Sequence, residues 1–187
     1  MEFLELIFKS FYFIAPVYLS NMVMVAIYFA GLKDAKSWIS TPVDFGIKMK
    51  NGNSLIGPHK KWIGLFISVV VAVLVVLLQK EIQPYLAIDS VVDYQVINVY
   101  FFGALLGAGS FFGDLFKSFL KRRINFKKYS SFPILDQIDH PSGAILFSYF
   151  LVHPSVDIIL TIILITIPLA IGVNFISYKL GIKNVWW

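Results

Sequence analysis

Three aspartates and a run of cations supply the chemistry open to this sequence. Asp136 and Asp139 stand three residues apart in Asp136-Gln137-Ile138-Asp139, a spacing that puts both carboxylates on one helical face with Cβ atoms about 5 to 6 Å apart. Hard oxygen donors so arranged suit Mg2+, whose sites use one or two carboxylates, several waters and the substrate's own phosphates. Asp114 is the third acid. Lys117, Ser118 and Lys121 follow it at +3, +4 and +7, again one helical face, and Arg122 and Arg123 continue the positive charge. An ionisable residue beside an apolar span needs a partner or a water-filled cavity, which makes Asp114 a functional candidate. Plainer readings compete with each feature. Asp114 also suits a helix end in the headgroup zone, the basic run suits a topology signal or an anionic-lipid contact, and an aspartate near a helix start suits a cap. Capping explains one aspartate better than two. Taken together, the three acids and the basic segment between them form a candidate site for a metal-bound polyphosphate at a membrane face.

The elements that must position these residues are membrane helices. Of 187 residues, 58% are hydrophobic and 14% charged, against about 45 to 50% and 25% in soluble domains. That excess excludes an ordinary soluble fold. Cysteine is absent, so disulfides, thiolate metal sites and cysteine nucleophiles are excluded as well. Apolar stretches predict helices at about 3–30, 62–79, 96–116 and 156–178, each near the roughly 20 residues needed to span a bilayer. A shorter helix is expected at 139–153, its polar start at an aqueous face. The expected fold is an all-α integral membrane protein, a single polytopic domain over 1–187, with about five transmembrane helices and two cytoplasmic loops, 31–61 and 117–139, forming the active site.

Charge sets the expected orientation. Fourteen of the sixteen basic residues fall in 31–61, 117–139 and the C-terminal tail, whereas 80–95 is net negative. The positive-inside rule makes the basic side cytoplasmic, with the N-terminus outside and the C-terminus inside. An odd number of spans follows, which supports counting the short helix. The first helix reads as retained, because it lacks a basic n-region and a small-residue cleavage site. Gly103-x-x-x-Gly107 and Gly109-x-x-x-Gly113 permit close helix approach. His59, His140 and His153 show no pair at metal-ligand spacing on one helix, so zinc is not expected. Lys183, Trp186 and Trp187 suit an interfacial anchor.

Gly113-Asp114, Ser118-Phe119-Leu120-Lys121-Arg122 and Pro133-Ile134-Leu135-Asp136-Gln137-Ile138-Asp139 resemble the signature of CTP-dependent phosphatidate cytidylyltransferases, in the form typical of archaeal CDP-archaeol synthases. Pro42-Val43-Asp44-Phe45-Gly46, Asn51-Gly52, Leu55-Ile56-Gly57 and Lys60-Lys61-Trp62-Ile63-Gly64 are similar to that family's first-loop elements, with Lys61, Ile63 and Asn51 where Thr, Arg and Asp are usual. The resemblance implies transfer of CMP from CTP to a membrane lipid phosphate, 2,3-bis-O-geranylgeranylglycerol 1-phosphate, with release of pyrophosphate. It implies Mg2+ held by Asp114, Asp136 and Asp139, with Lys121 beside these acids as a catalytic residue. Lys117, Lys121 and Arg122 would neutralise phosphate, Ser118 would donate a hydrogen bond, and Asp44 and Lys60 would bind substrate from the first loop. The expected partners are CTP, the lipid phosphate and the bilayer, with no nucleic acid. Two alternatives compete: a CDP-diacylglycerol synthase acting on phosphatidate, and a non-enzymatic scaffold or transporter subunit, in which the aspartates would be dispensable.

Overall fold

A computed structural model describes residues 2–29, 40–49, 52–86, 89–124, 135–179 and 181. Pro133, Ile134, Asn51 and the expected anchor Lys183, Trp186 and Trp187 lie outside the described residues. The described elements are helical: α1 (Glu2–Phe29), α2 (Trp62–Ile82) with a 3-10 turn (Gln83–Tyr85), α3 (Val99–Arg123), α4 (Leu135–Ser148) and α5 (Val156–Lys179). Four of these helices, α1, α2, α3 and α5, are long and apolar enough to cross a bilayer. The fourth in sequence, α4, has 14 residues and rises only about 21 Å.

Two boundaries differ from the sequence expectation. The third helix was expected to end at 116, yet α3 continues to Arg123, so Lys117 to Arg123 are helical rather than part of a loop. Hydropathy marks where apolar residues stop. It does not mark where helix stops, and Lys, Arg, Leu and Phe continue a helix readily once the chain leaves hydrocarbon. The short helix was expected at 139–153, whereas α4 runs from Leu135 to Ser148. Asp136 therefore lies in its first turn, where a carboxylate favours the helix dipole, and the chain turns before His153-Pro154, where proline disfavours helix in the preceding residue.

Central position belongs to α3. More than half of its apolar window is buried in the protein, against a third or less for the other three spans. Lipid is as apolar as leucine, so helix association depends on close packing and interhelical polar contacts rather than on a hydrophobic drive. The glycines meet that demand. A Cβ on Gly103 would lie 2.7 Å from Val73 Cα, and one on Gly107 would lie 2.5 Å from the Ser68 carbonyl oxygen. Ser68 Oγ in turn donates to the Gly107 carbonyl at 2.8 Å. On the opposite face, Gly109 and Gly113 abut Gly143 and the Asp139 carbonyl of α4. Phe13, Ile14 and Val17 of α1, Val76 of α2, Phe102 and Leu106 of α3, and Ile158 and Ile162 of α5 fill the core. At the end of α2 away from the basic loop, Gln79 donates to the Tyr12 carbonyl at 2.5 Å and accepts from Tyr94 at 3.3 Å, while Tyr12 donates to the Gln79 carbonyl at 2.9 Å.

Candidate functional site

The close crossing of α3 on α4 brings the aspartates together. Asp114 follows Gly113 directly, and the backbone against which Gly113 packs is that of Asp139 itself. Only glycine admits that approach. Lys117, one turn beyond Asp114, puts its amine 2.5 Å from Asp139 Oδ2, 3.2 Å from Asp114 Oδ1 and 3.3 Å from Asp136 Oδ1. Lys121, a further turn along, donates to Asp136 at 2.6 Å. Asp114 and Asp139 are buried. Asp139 Oδ1 has no hydrogen-bond partner, and Oδ2 lies against the Lys117 amine. Two buried acids with spare lone pairs form a donor set suited to a divalent cation. Asp114, Asp139 and His140 each offer an atom within 4.8 Å of the other two.

The first loop reaches this cluster through Lys60, which forms an ion pair with Asp114. Its geometry follows from local backbone pairing. Val43 N donates to the Lys60 carbonyl at 2.8 Å and Trp62 N to the Thr41 carbonyl at 3.2 Å, which ties the entry of the loop to its exit. The buried Asp44 carboxylate accepts from Gly46 N at 3.1 Å and from Ile56 N and Gly57 N at 3.0 Å each. Burial pushes the Asp44 carboxyl upward, but these backbone N–H donors outweigh it and hold the group below its ordinary value. Gly57 adopts φ of +134° to turn its N–H inward, a conformation that a side chain would strain. Arg122 lies 3.9 Å from where a Cβ on Gly57 would stand, so the loop rests against the C-terminal end of α3.

Two cavities flank the acids. One, about 540 Å³, is an apolar groove along the seam of α3 and α4, walled by Phe116, Leu120, Ile138 and Leu146 and ending at Lys117, Lys121 and Asp139. The other, about 700 Å³, lies between α1, α2 and α3, and is bordered by Lys60, Lys61, His59, Asp114 and His140. Both volumes fall in the range of small-molecule sites.

A model of the CarS-like CDP-archaeol synthases matches residues 3–187. The chain is 33% identical to the CDP-archaeol synthase of Methanocaldococcus jannaschii over 99% of each chain. It is 34% identical to that of Methanococcus maripaludis over the whole of both chains, and 34% identical to that of Archaeoglobus fulgidus over 98% of this chain and 99% of the other. The chain belongs to the CDP-archaeol synthase family. A solved structure of an intramembrane enzyme for archaeal membrane lipid biosynthesis shares the fold, with TM-score 0.66 and 21% identity, over 90% of this chain and 94% of that one. The chain is a multi-pass membrane protein, an enzyme of the CTP-dependent cytidylyltransferase class.

Within this family member, Asp114, Asp136, Asp139, Lys117, Lys121 and Lys60 converge as the sequence suggested. Four candidates stand differently. Asp136, expected among the metal ligands, lies outside the group of atoms within ligand reach and is engaged by Lys117 and Lys121. The i,i+3 spacing does put it on the face of Asp139, but the first turn of α4 lies beside Lys121 rather than beside Asp114. Asp44, expected to bind substrate, has its carboxylate committed to three backbone N–H groups of its own loop. Arg122 and Ser118 flank the cluster rather than join it: Arg122 Nε is buried without a partner, and Ser118 is buried one turn from Asp114. His140 has no second histidine at ligand spacing on its helix, so spacing does not mark it as a ligand. The only signal available was its adjacency to Asp139.

Proposed function

We propose that this chain transfers CMP from CTP to the phosphate of 2,3-bis-O-geranylgeranylglycerol 1-phosphate, forming CDP-archaeol and pyrophosphate. The observation that carries the reading is the Lys117 amine set among three carboxylates between two cavities, one apolar and one bordered by cations. A lipid phosphate oxygen attacks the α-phosphorus of CTP, the bond from that phosphorus to the bridging oxygen of the β-phosphate breaks, and pyrophosphate leaves with the electron pair. Positioning and charge neutralisation are the protein's contributions to such a step. The isoprenoid chains lie in the groove between α3 and α4, since moving them to water costs about 0.8 kcal/mol per CH2. Lys117 and Lys121, at the polar end of that groove, hold the lipid phosphate. The triphosphate occupies the second cavity, where Lys60 meets it. Asp114 and Asp139 would hold Mg2+, which would supply charge neutralisation at the phosphoryl oxygens. Asp136 orients Lys121 and Lys117, and Asp44 acts as a positioning residue by fixing the loop that carries Lys60.

The basic loops face the cytoplasm, with the N-terminus outside and the C-terminus inside, and α4 completes a fifth crossing. Ether and ester acceptors distinguish the proposed activity from that of a CDP-diacylglycerol synthase. Purified chain given CTP, Mg2+ and each lipid phosphate in turn is expected to turn over the isoprenoid ether at least ~10-fold faster than the diacyl ester, a difference of about 1.4 kcal/mol. Equal or reversed rates would overturn the acceptor assignment. A variant Asp114→Asn that inserts normally and keeps full turnover would overturn the assignment of Asp114 to the metal site.

A further inference from the structure

One side chain at the carboxylate cluster has no part in the transfer step above. A ring nitrogen of His140 joins oxygens of Asp114 and Asp139 in a group whose members all lie within 4.8 Å of one another. The three come from two helices that Gly113 and Gly143 hold in backbone contact, so the set is assembled by tertiary packing rather than by spacing along one helix. Asp139 is 7% exposed, and its Oδ1 has no hydrogen-bond partner. A buried oxygen left in that condition is costly without a cation or donor to meet it. The imidazole is held in turn. His140 Nδ1 lies 3.1 Å from Ser110 Oγ, and Ser110 is buried one turn before Asp114 on α3. When Nδ1 carries the ring proton and donates it to Ser110, Nε2 keeps its lone pair. An outer hydrogen bond of this kind orients metal-bound imidazoles and fixes their tautomer.

We propose that His140 is a nitrogen ligand of the divalent-metal centre formed with Asp114 and Asp139, and that it raises the centre's affinity for first-row transition ions relative to Mg2+. The proposal rests on the assignment of those two aspartates as metal ligands. Imidazole adds affinity along the series from Mn2+ through Co2+ to Ni2+, while Mg2+ prefers oxygen and retains its waters. Ser110 is then a positioning residue that acts through the histidine.

Pulsed electron paramagnetic resonance of Mn2+ on the purified full chain in detergent tests this without reference to turnover. The expected spectrum carries a directly bonded nitrogen coupling that changes when histidine is labelled with nitrogen-15 and disappears in both His140→Phe and His140→Gln. In competition binding, His140→Phe is expected to lose Co2+ affinity by ~10-fold or more while changing Mg2+ affinity little. Bound Mn2+ with no nitrogen coupling in the unmutated chain would overturn the role of His140 and leave the carboxylate centre standing. A coupling that survives both substitutions would also overturn it. Failure of the unmutated chain to bind Mn2+ would remove the metal centre itself, and the proposal with it.

Discussion

The Lys117 amine lies within 3.3 Å of oxygens from three aspartates, and two of those acids are buried. Like charges about 4 Å apart repel by roughly 4 kcal/mol at the effective dielectric near a protein surface, and the Lys117 amine, with Lys60 on Asp114 and Lys121 on Asp136, offsets that repulsion. Replacing it, Lys117→Met, is expected to lower the rate of CMP transfer by about 10² to 10³, the usual consequence of removing a charge-stabilising group from a transition state. Steady-state kinetics on reconstituted protein would measure this, and a rate within twofold of the parent would remove Lys117 from the site. Asp44 gives a pH-dependent case. Its folded carboxyl titrates below the unfolded value of about 3.9, so its stabilisation is complete above that pH and is lost as pH falls through the folded value. The difference in unfolding free energy between parent and Asp44→Asn should therefore be widest at neutral pH, about 1 to 3 kcal/mol, and narrow as pH falls below about 4. A gap that widens on acidification would contradict the backbone clamp. The aspartates and lysines were legible as residue types at helical spacing. The occupation of Asp44 by Ile56 and Gly57, twelve and thirteen residues onward, was not, because loop closure leaves no periodic trace.

At the scale of elements, the site depends on how closely α3 can approach α4. A Cβ on Gly113 would collide with the Asp139 carbonyl, so Gly113→Ala must separate the helices where Asp114 and Asp139 face each other. Overpacking of this kind costs typically about 1 to 3 kcal/mol, and a displacement of about 1 Å can cost 10²-fold in rate. The expected outcome is a folded protein with turnover lowered by about 10²-fold, while Gly172→Ala, where an added Cβ meets nothing within 4 Å, leaves turnover unchanged. Comparable activity in both variants would show that helix separation does not set the site. The close approach was readable from the Gly-x-x-x-Gly spacing. Helix ends were not, since α3 continues seven residues past its apolar segment and α4 stops at Ser148 although the apolar run Tyr149 to Val152 follows.

For the whole molecule, the proposed crossing of the bilayer by α2 and α3 would put the two basic segments on one face and the acidic turn after α2 on the other. The chain contains no cysteine, so single cysteines can report sidedness without background. A thiol at the exposed Lys48 is expected to label only from the cytoplasmic face and one at the exposed Asp93 only from the outer face, read with an impermeant maleimide on oriented vesicles. Labelling of both from the same side would contradict the orientation. Charge asymmetry is the sequence signal behind the proposed orientation, whereas the pairing of an apolar groove with a cation-bordered cavity around one acidic cluster emerged only from the packing.

Position-labelled CTP tests directly whether nucleotidyl transfer occurs at the α3–α4 crossing. With purified chain, Mg2+ and the isoprenoid lipid phosphate, label on the α-phosphate should enter the lipid and label on the γ-phosphate should appear in pyrophosphate. An Asp139→Asn variant that inserts normally should lose the incorporation by about 10²-fold or more. Transfer of γ-label to the lipid, or full incorporation by Asp139→Asn, would contradict the account.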